Sequence, residues 1–241
     1  MADVILRFDM RCPEIATVAQ ADLYQAAIDM CSWGDERGIG SVHLSEHHGS
    51  EDGYCPSPLV FASAIATRTS NMRIFISALI APLHDPVQLA EDLTVLDIIS
   101  RGRVIPVISG GYREEEFNAV GKKLSVRRQY MNDIGAFLKK AWSGETFQFE
   151  GRTITITPKP FSDPRPMILM GGSSRPAARR AAADADFFHR MQVGDHLVAV
   201  LVAVLDGPVD PRTGRVRGGQ EFCLQGLSEE RRNERRPCQY Q

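Results

Sequence analysis

Apolar and polar positions along this chain alternate in blocks that predict short buried strands separated by helices. Residues 4–8 form a first apolar run, closed by Asp9. Between 21 and 37, Leu23, Ala27, Met30 and Gly34 recur on one helical stripe, with Gly38 as the stop. Residues 41–44 predict a second strand that runs into Glu46, His47 and His48. Ser57-Pro58 reads as an N-cap followed by proline in the first helical turn, opening a helix to Arg68. Residues 73–80, rich in β-branched side chains, predict a buried strand. Asp85-Pro86 repeats the cap signal, and Leu89, Leu93 and Leu96 carry that helix to Ser100. Residues 103–108 follow as another apolar strand, ending in Ser109, Gly110 and Gly111.

Strand starts recur roughly every 30 to 40 residues, the rhythm of successive βα units around a parallel sheet. A further helix is predicted from Tyr130, Ile134, Phe137, Leu138 and Ala141. Phe147/Phe149 and Ile154/Ile156 then alternate around Glu150-Gly151, which predicts an inserted hairpin. Residues 167–170 form a fifth buried strand of the βα series, Gly171 to Ser174 lead into an Ala/Arg helix, and residues 186–188 start a sixth. The fold class is therefore α/β, with about six βα units legible. After Arg190 the rhythm stops. Residues 197–205 are apolar, 207–219 are rich in Gly, Pro and Arg, and 229–236 are almost wholly charged. The chain is accordingly divided into a βα domain over 1–190 and a divergent, loosely packed tail over 191–241.

Composition narrows the function classes. A net charge of −2 argues against nucleic acid or an anionic membrane surface as the main partner. The five cysteines lack a CxxC pair and read as free thiols of a reducing compartment. No signal peptide or membrane span is legible, so a cytoplasmic enzyme is expected.

In parallel α/β barrels, chemistry sits where strands end and βα loops begin. Such places here are Asp9-Met10, Glu46-His47-His48, Ser77 to Pro82, Ser109 to Tyr112, and Gly171 to Ser174. A histidine pair beside a carboxylate is a natural acid/base group. The glycines allow close backbone approach, and Gly171 to Ser174 can offer N–H groups to a phosphate at a helix N-terminus. Each of these also has an ordinary reading as a turn or a polar strand end. His43-Leu44-Ser45-Glu46-His47 matches the H-x-x-E-H zinc motif. That motif works on a helix, and this segment reads as strand, so no metal is expected.

Three stretches carry a resemblance: Ser45 to His48; Ala81 to Asp92; and Leu96 to Arg103. Glu114-Glu115-Glu116-Phe117 with Gly121, and Met170 to Ser173, extend it. The chain resembles the bacterial luciferase-like monooxygenase family, collinearly from Val4 to Phe188. The resemblance implies a (β/α)8 TIM-type barrel that holds FMN, or the deazaflavin coenzyme, at the C-terminal strand ends. It implies that His47 is the active-site histidine with Glu46 flanking it, and that Ser77–Ala78 form a non-proline cis peptide against the flavin ring. Ser109, Gly110 and Gly111, then Gly171, Gly172 and Ser173, would line the cofactor. Gly110 stands where the luciferases have a phosphate-binding arginine. Residues 191–241 lack the family's last two units and read as a divergent end or as out-of-frame translation.

The leading expectation is a monooxygenase that oxidises a small organic molecule with oxygen and reduced FMN from a separate flavin reductase, as a homodimer. The alternatives are hydride transfer with a deazaflavin, and a non-catalytic family member or partner subunit.

Overall fold

The computed structural model describes residues 4–190. In chain order it contains β1 (Ile5–Phe8), α1 (Gln20–Asp35), β2 (Ser41–Leu44), α2 (Pro58–Arg68), β3 (Arg73–Ile80) and α3 (Pro86–Ser100). These are followed by β4 (Val104–Ser109), α4 (Glu114–Ala119), α5 (Arg127–Ala141), β5 (Phe147–Phe149) and β6 (Arg152–Ile154). The described part ends with β7 (Leu169–Gly172), α6 (Arg175–Asp184) and β8 (Phe187–Arg190). Six strands form one sheet in the order β1-β2-β3-β4-β7-β8, and every pairing in it is parallel. The order follows the chain with only the β5-β6 hairpin set aside, as expected when each strand is returned by a helix. This is the α/β architecture of a TIM-type barrel, and among the described residues the barrel is not closed. The expected tail over 191–241 lies outside the described residues, as does the apolar run 197–205.

Alternation along the strands sorts the core. Val42, Leu44, Ile74, Ile76, Ile108 and Met170 belong to one buried cluster with Ala27 and Cys31 of α1, Phe61 and Ile65 of α2, Leu89, Leu93 and Leu96 of α3, and Ile134 and Leu138 of α5. Phe75, Ile105, Val107 and Leu169 form a separate cluster on the opposite face of the sheet. Helix entries follow local chemistry. Asp85 caps α3, its carboxylate accepting from the backbone N–H of Val87 and Gln88. Ser174 caps α6 through Ala177 N–H. Ser57, expected to cap α2, makes no side-chain cap bond; Pro58 alone presets that first turn.

The fifth strand of the sheet differs from its expected bounds. Pairing begins at Leu169, opposite Val107 and Phe187, and continues through Gly171 and Gly172 opposite His189 and Arg190. The shift is anchored by Asp186, whose carboxylate accepts Ile168 N–H while its own N–H donates to Ile168 O. Gly171 and Gly172 thus lie inside a strand, and the loop before α6 is reduced to Ser173 and Ser174. Among the described residues no helix is long and apolar enough to cross a membrane.

Candidate active site

The C-terminal end of β2 delivers Ser45, Glu46, His47 and His48 to the same end of the sheet as Ser77–Ala78 of β3 and Ser109 of β4. The sequence places an apolar strand directly before these polar residues, so backbone pairing aims them where βα loops start. Ser45 Oγ donates to Ser77 O at 3.1 Å and links the two strand ends. The Ser77–Ala78 peptide bond is cis, and the β3–β4 register shifts between Ser77 and Leu79. Ser109 pairs with Ile80, and Gly110 and Gly111 continue from it.

Two buried carboxylates organise the histidines. Glu46 is wholly enclosed: its Oε1 accepts from His48 Nε2 at 2.9 Å and His84 Nε2 at 2.8 Å, while its Oε2 accepts the Ile80 backbone N–H. Burial pushes this carboxyl up, but the hydrogen bonds from His48, His84 and Ile80 outweigh it and hold the group at about 2. The same bond to Glu46 raises His48 against the opposing effect of burial. Glu116, on α4, serves His47. Its Oε1 lies 2.7 Å from His47 Nδ1 and accepts the His48 backbone N–H at 3.1 Å. The Glu116 side chain is 1% exposed, and its Oε2 has no hydrogen-bond partner among the described residues. The His47 ring meets Tyr54 (centroids 4.7 Å, 88° between planes) and Tyr112 (5.9 Å, 80°) edge-on. Its backbone N–H donates to Cys55 O.

His43 is separate from this cluster. It lies on a strand, stacked on Phe75 at 4.6 Å, and burial together with His189 and Arg7 lowers it to about 4. The helical face that H-x-x-E-H would need is absent, because β2 runs through His43 and ends at Leu44.

Packing requires glycine in these loops, because neighbouring side chains already fill the space a Cβ would take. At Gly111 (φ +65°) an added Cβ would stand 2.6 Å from Ile80 Cγ2, and at Gly110 one would stand 3.3 Å from Met131 Cγ. Arg127, at the start of α5, donates from Nη1 to Gly111 O at 2.6 Å and lies across this loop. At Gly172 an added Cβ would stand 2.6 Å from Ala177 Cβ, which explains the glycine by strand-to-helix packing. His47, Glu46, Ser77, Ala78, Ser109, Gly110 and Gly111 therefore cluster at neighbouring strand ends, whereas Gly171, Gly172 and Ser173 stand one strand further on. Sequence reasoning missed His84, Tyr54 and Glu116 as site residues. Glu116 lies in the Glu114-Glu115-Glu116-Phe117 run that carried part of the family resemblance, but three glutamates in a row gave no local sign of which one turns inward.

A sequence model of the luciferase-like monooxygenase family matches residues 8–205. Over 157 residues the chain is 29% identical to the oxygenase component of flavin-dependent trigonelline monooxygenase from Acinetobacter baylyi, covering 62% of this chain and 43% of that protein. Over 163 residues it is 24% identical to FMNH(2)-dependent dimethylsulfone monooxygenase from Pseudomonas putida, covering 64% of this chain and 44% of the relative. The chain thus spans less than half the length of these relatives. Among solved structures, monooxygenase RslO1 from Streptomyces bottropensis superposes with a TM-score of 0.66 at 24% identity, over 74% of this chain and 56% of that one. The family match begins at Phe8, the last residue of β1, and extends past β8. This chain belongs to the luciferase-like monooxygenase family.

Proposed function

We propose that this chain is a flavin-dependent monooxygenase that oxidises a small organic substrate with oxygen and reduced FMN delivered by a separate reductase. The observation that carries this reading is the placement of His47, tied to buried Glu116 and packed on Tyr54, at the strand end next to the one that holds the cis Ser77–Ala78 bond. Family membership and the relatives' names, one a flavin-dependent oxygenase component and one FMNH(2)-dependent, support it.

The residues present fit a planar cofactor with a phosphate tail. Ser77 and Ala78 would bear on the ring, while Ser109, Gly110 and Gly111 continue the neighbouring strand end, with the Arg127 cation donating to Gly111 O. Gly171, Gly172 and Ser173 would stand beyond them. Arg127 supplies from α5 a positive charge near the loop where Gly110 brings none. When bound, FMN supplies the activation of oxygen. The chain's own part is to orient the ring, exclude water and move a proton at the His47 imidazole. Glu46, fully engaged by its three donors, acts by holding His48 and His84 in place. A homodimer acting in the cytoplasm completes the reading.

The test is to add photoreduced FMN to the purified chain, admit oxygen and follow the flavin spectrum with a panel of small organic substrates. Retained flavin and oxygen-dependent turnover are expected. No flavin retention and no turnover with any substrate would overturn the proposal. Preference for the deazaflavin coenzyme over FMN would replace it with hydride transfer.

A further inference from the structure

We infer that Glu116 is a positioning residue for His47: its buried carboxylate holds the imidazole in the Nδ1–H form and leaves Nε2 unprotonated. The role in turnover rests on the function proposed above; the tautomer does not. The argument starts from the His48 backbone N–H, which can only donate, and which points at Glu116 Oε1 from 3.1 Å. That oxygen is therefore an acceptor toward His48. The same oxygen faces His47 Nδ1 at 2.7 Å, the short separation of a charge-assisted bond. The Arg113 guanidinium, a donor only, also faces this oxygen at 3.9 Å. The shared proton then belongs to His47 Nδ1, and Nε2 presents its lone pair.

The adjacent carboxylate imposes the opposite arrangement. His48 and His84 both reach Glu46 Oε1 through Nε2, and the second oxygen of Glu46 is occupied by the Ile80 N–H. Two histidines next to each other in sequence are thus assigned opposite neutral tautomers, each by its own buried carboxylate. Glu116 is a positioning residue: it acts on the reaction through His47. The Tyr54 ring packs nearly perpendicular to the imidazole, with centroids 4.7 Å apart, and adds a second contact that orients it. With Nε2 unprotonated, His47 can take a proton at once but must be recharged before it can give one.

Nitrogen-15 NMR of the histidine-labelled full chain, without flavin and at a pH where the imidazoles are neutral, tests this. Signals are assigned from His47→Asn, His48→Asn and His84→Asn. His47 is expected in the Nδ1–H form, and His48 and His84 in the Nε2–H form. In Glu116→Ala, His47 should revert to the Nε2–H form that free imidazole favours. Glu116→Gln should keep Nδ1–H, because the His48 N–H still demands oxygen at that place. It should nonetheless lower kcat roughly tenfold or more through loss of the charge that stabilises imidazolium, with flavin affinity unchanged. An Nε2–H form of His47 in the natural chain would overturn the inference, and so would Nδ1–H persisting in Glu116→Ala. If Glu116→Ala does not fold, the natural chain and Glu116→Gln decide the matter alone. Because the spectrum needs no flavin, failure to bind FMN would sink the proposed function and leave the tautomer result standing.

Discussion

Adjacent residues on one strand end, His47 and His48, answer to carboxylates that come from opposite directions in the sequence: Glu116 from α4 and Glu46 from the same strand end. Replacing His47 with Ala should leave flavin binding nearly intact and reduce turnover by roughly 100-fold, the usual scale for losing an acid/base group. Steady-state rates at full flavin occupancy check it, and unchanged turnover would make the residue a bystander. Glu46 contributes to stability as well. Its folded value of about 2 lies below the ordinary 4.5, so its contribution is complete above 4.5 and is lost as pH falls through that window. His48 has the opposite sign. It is raised from 6.5, so its contribution is complete below 6.5 and is lost as pH rises through its folded value. Urea unfolding at a series of pH values should therefore show an acid limb that Glu46→Gln flattens. An unaltered limb in that variant would show that other carboxylates dominate acid unfolding.

Between elements, long polar side chains close backbone groups that helices and strands leave open. Arg103, at the head of β4, donates from Nε to Ser100 O, from Nη1 to Thr69 Oγ1 and Met72 O, and from Nη2 to Ala66 O and Thr69 O. One guanidinium thereby ties the ends of α2 and α3 to the start of β3, a use that depends on its planar fork of donors. Arg103→Ala should cost about 3 kcal/mol by leaving these acceptors unpaired, and Arg103→Lys should recover less than half of it. Chemical denaturation measures both; a loss within ~0.5 kcal/mol, the level of an ordinary surface change, would refute the assignment. Asp35 plays a similar part, accepting the N–H groups of Ser70, Asn71 and Met72 at the turn before β3. At the start of α3, Asp85→Ala removes a cap that accepts two N–H groups and should cost about 1 kcal/mol.

At the scale of the whole molecule, the described sheet has β1 and β8 at its ends, each paired on one side. Apolar side chains are exposed on both: Ile5 is 44% and Phe187 60% accessible. Exposed apolar residues on strands with unpaired backbone groups favour edge-to-edge association. Phe187→Lys should reduce concentration-dependent self-association in sedimentation, with little change in thermal midpoint. An unchanged sedimentation profile would show that this edge is not where copies of the chain meet.

The βα rhythm was legible because buried parallel strands read as apolar runs and helices start at recognisable caps. The runs 73–80 and Asp85-Pro86 appear in the structure as β3 and the entry of α3 with the expected bounds. The Ser77–Ala78 peptide is cis where the family likeness placed it. Local pattern was weaker where a distant residue decides. Asp186 draws Ile168 into its own hydrogen bonds and starts β7 two residues later than the apolar run begins, which moves Gly171 and Gly172 from a loop into a strand. The pairing of His47 with Glu116 spans 69 residues, and that of Glu46 with His84 spans 38. Period and propensity describe neighbours along the chain. Which carboxylate reaches which ring nitrogen depends on how strand ends and loops meet across the sheet. The sequence by itself determined the layers, the strand order and the set of polar residues at the strand ends. Only the tertiary structure decided that one buried glutamate locks two histidines away while another orients the third, because burial and proximity come from packing.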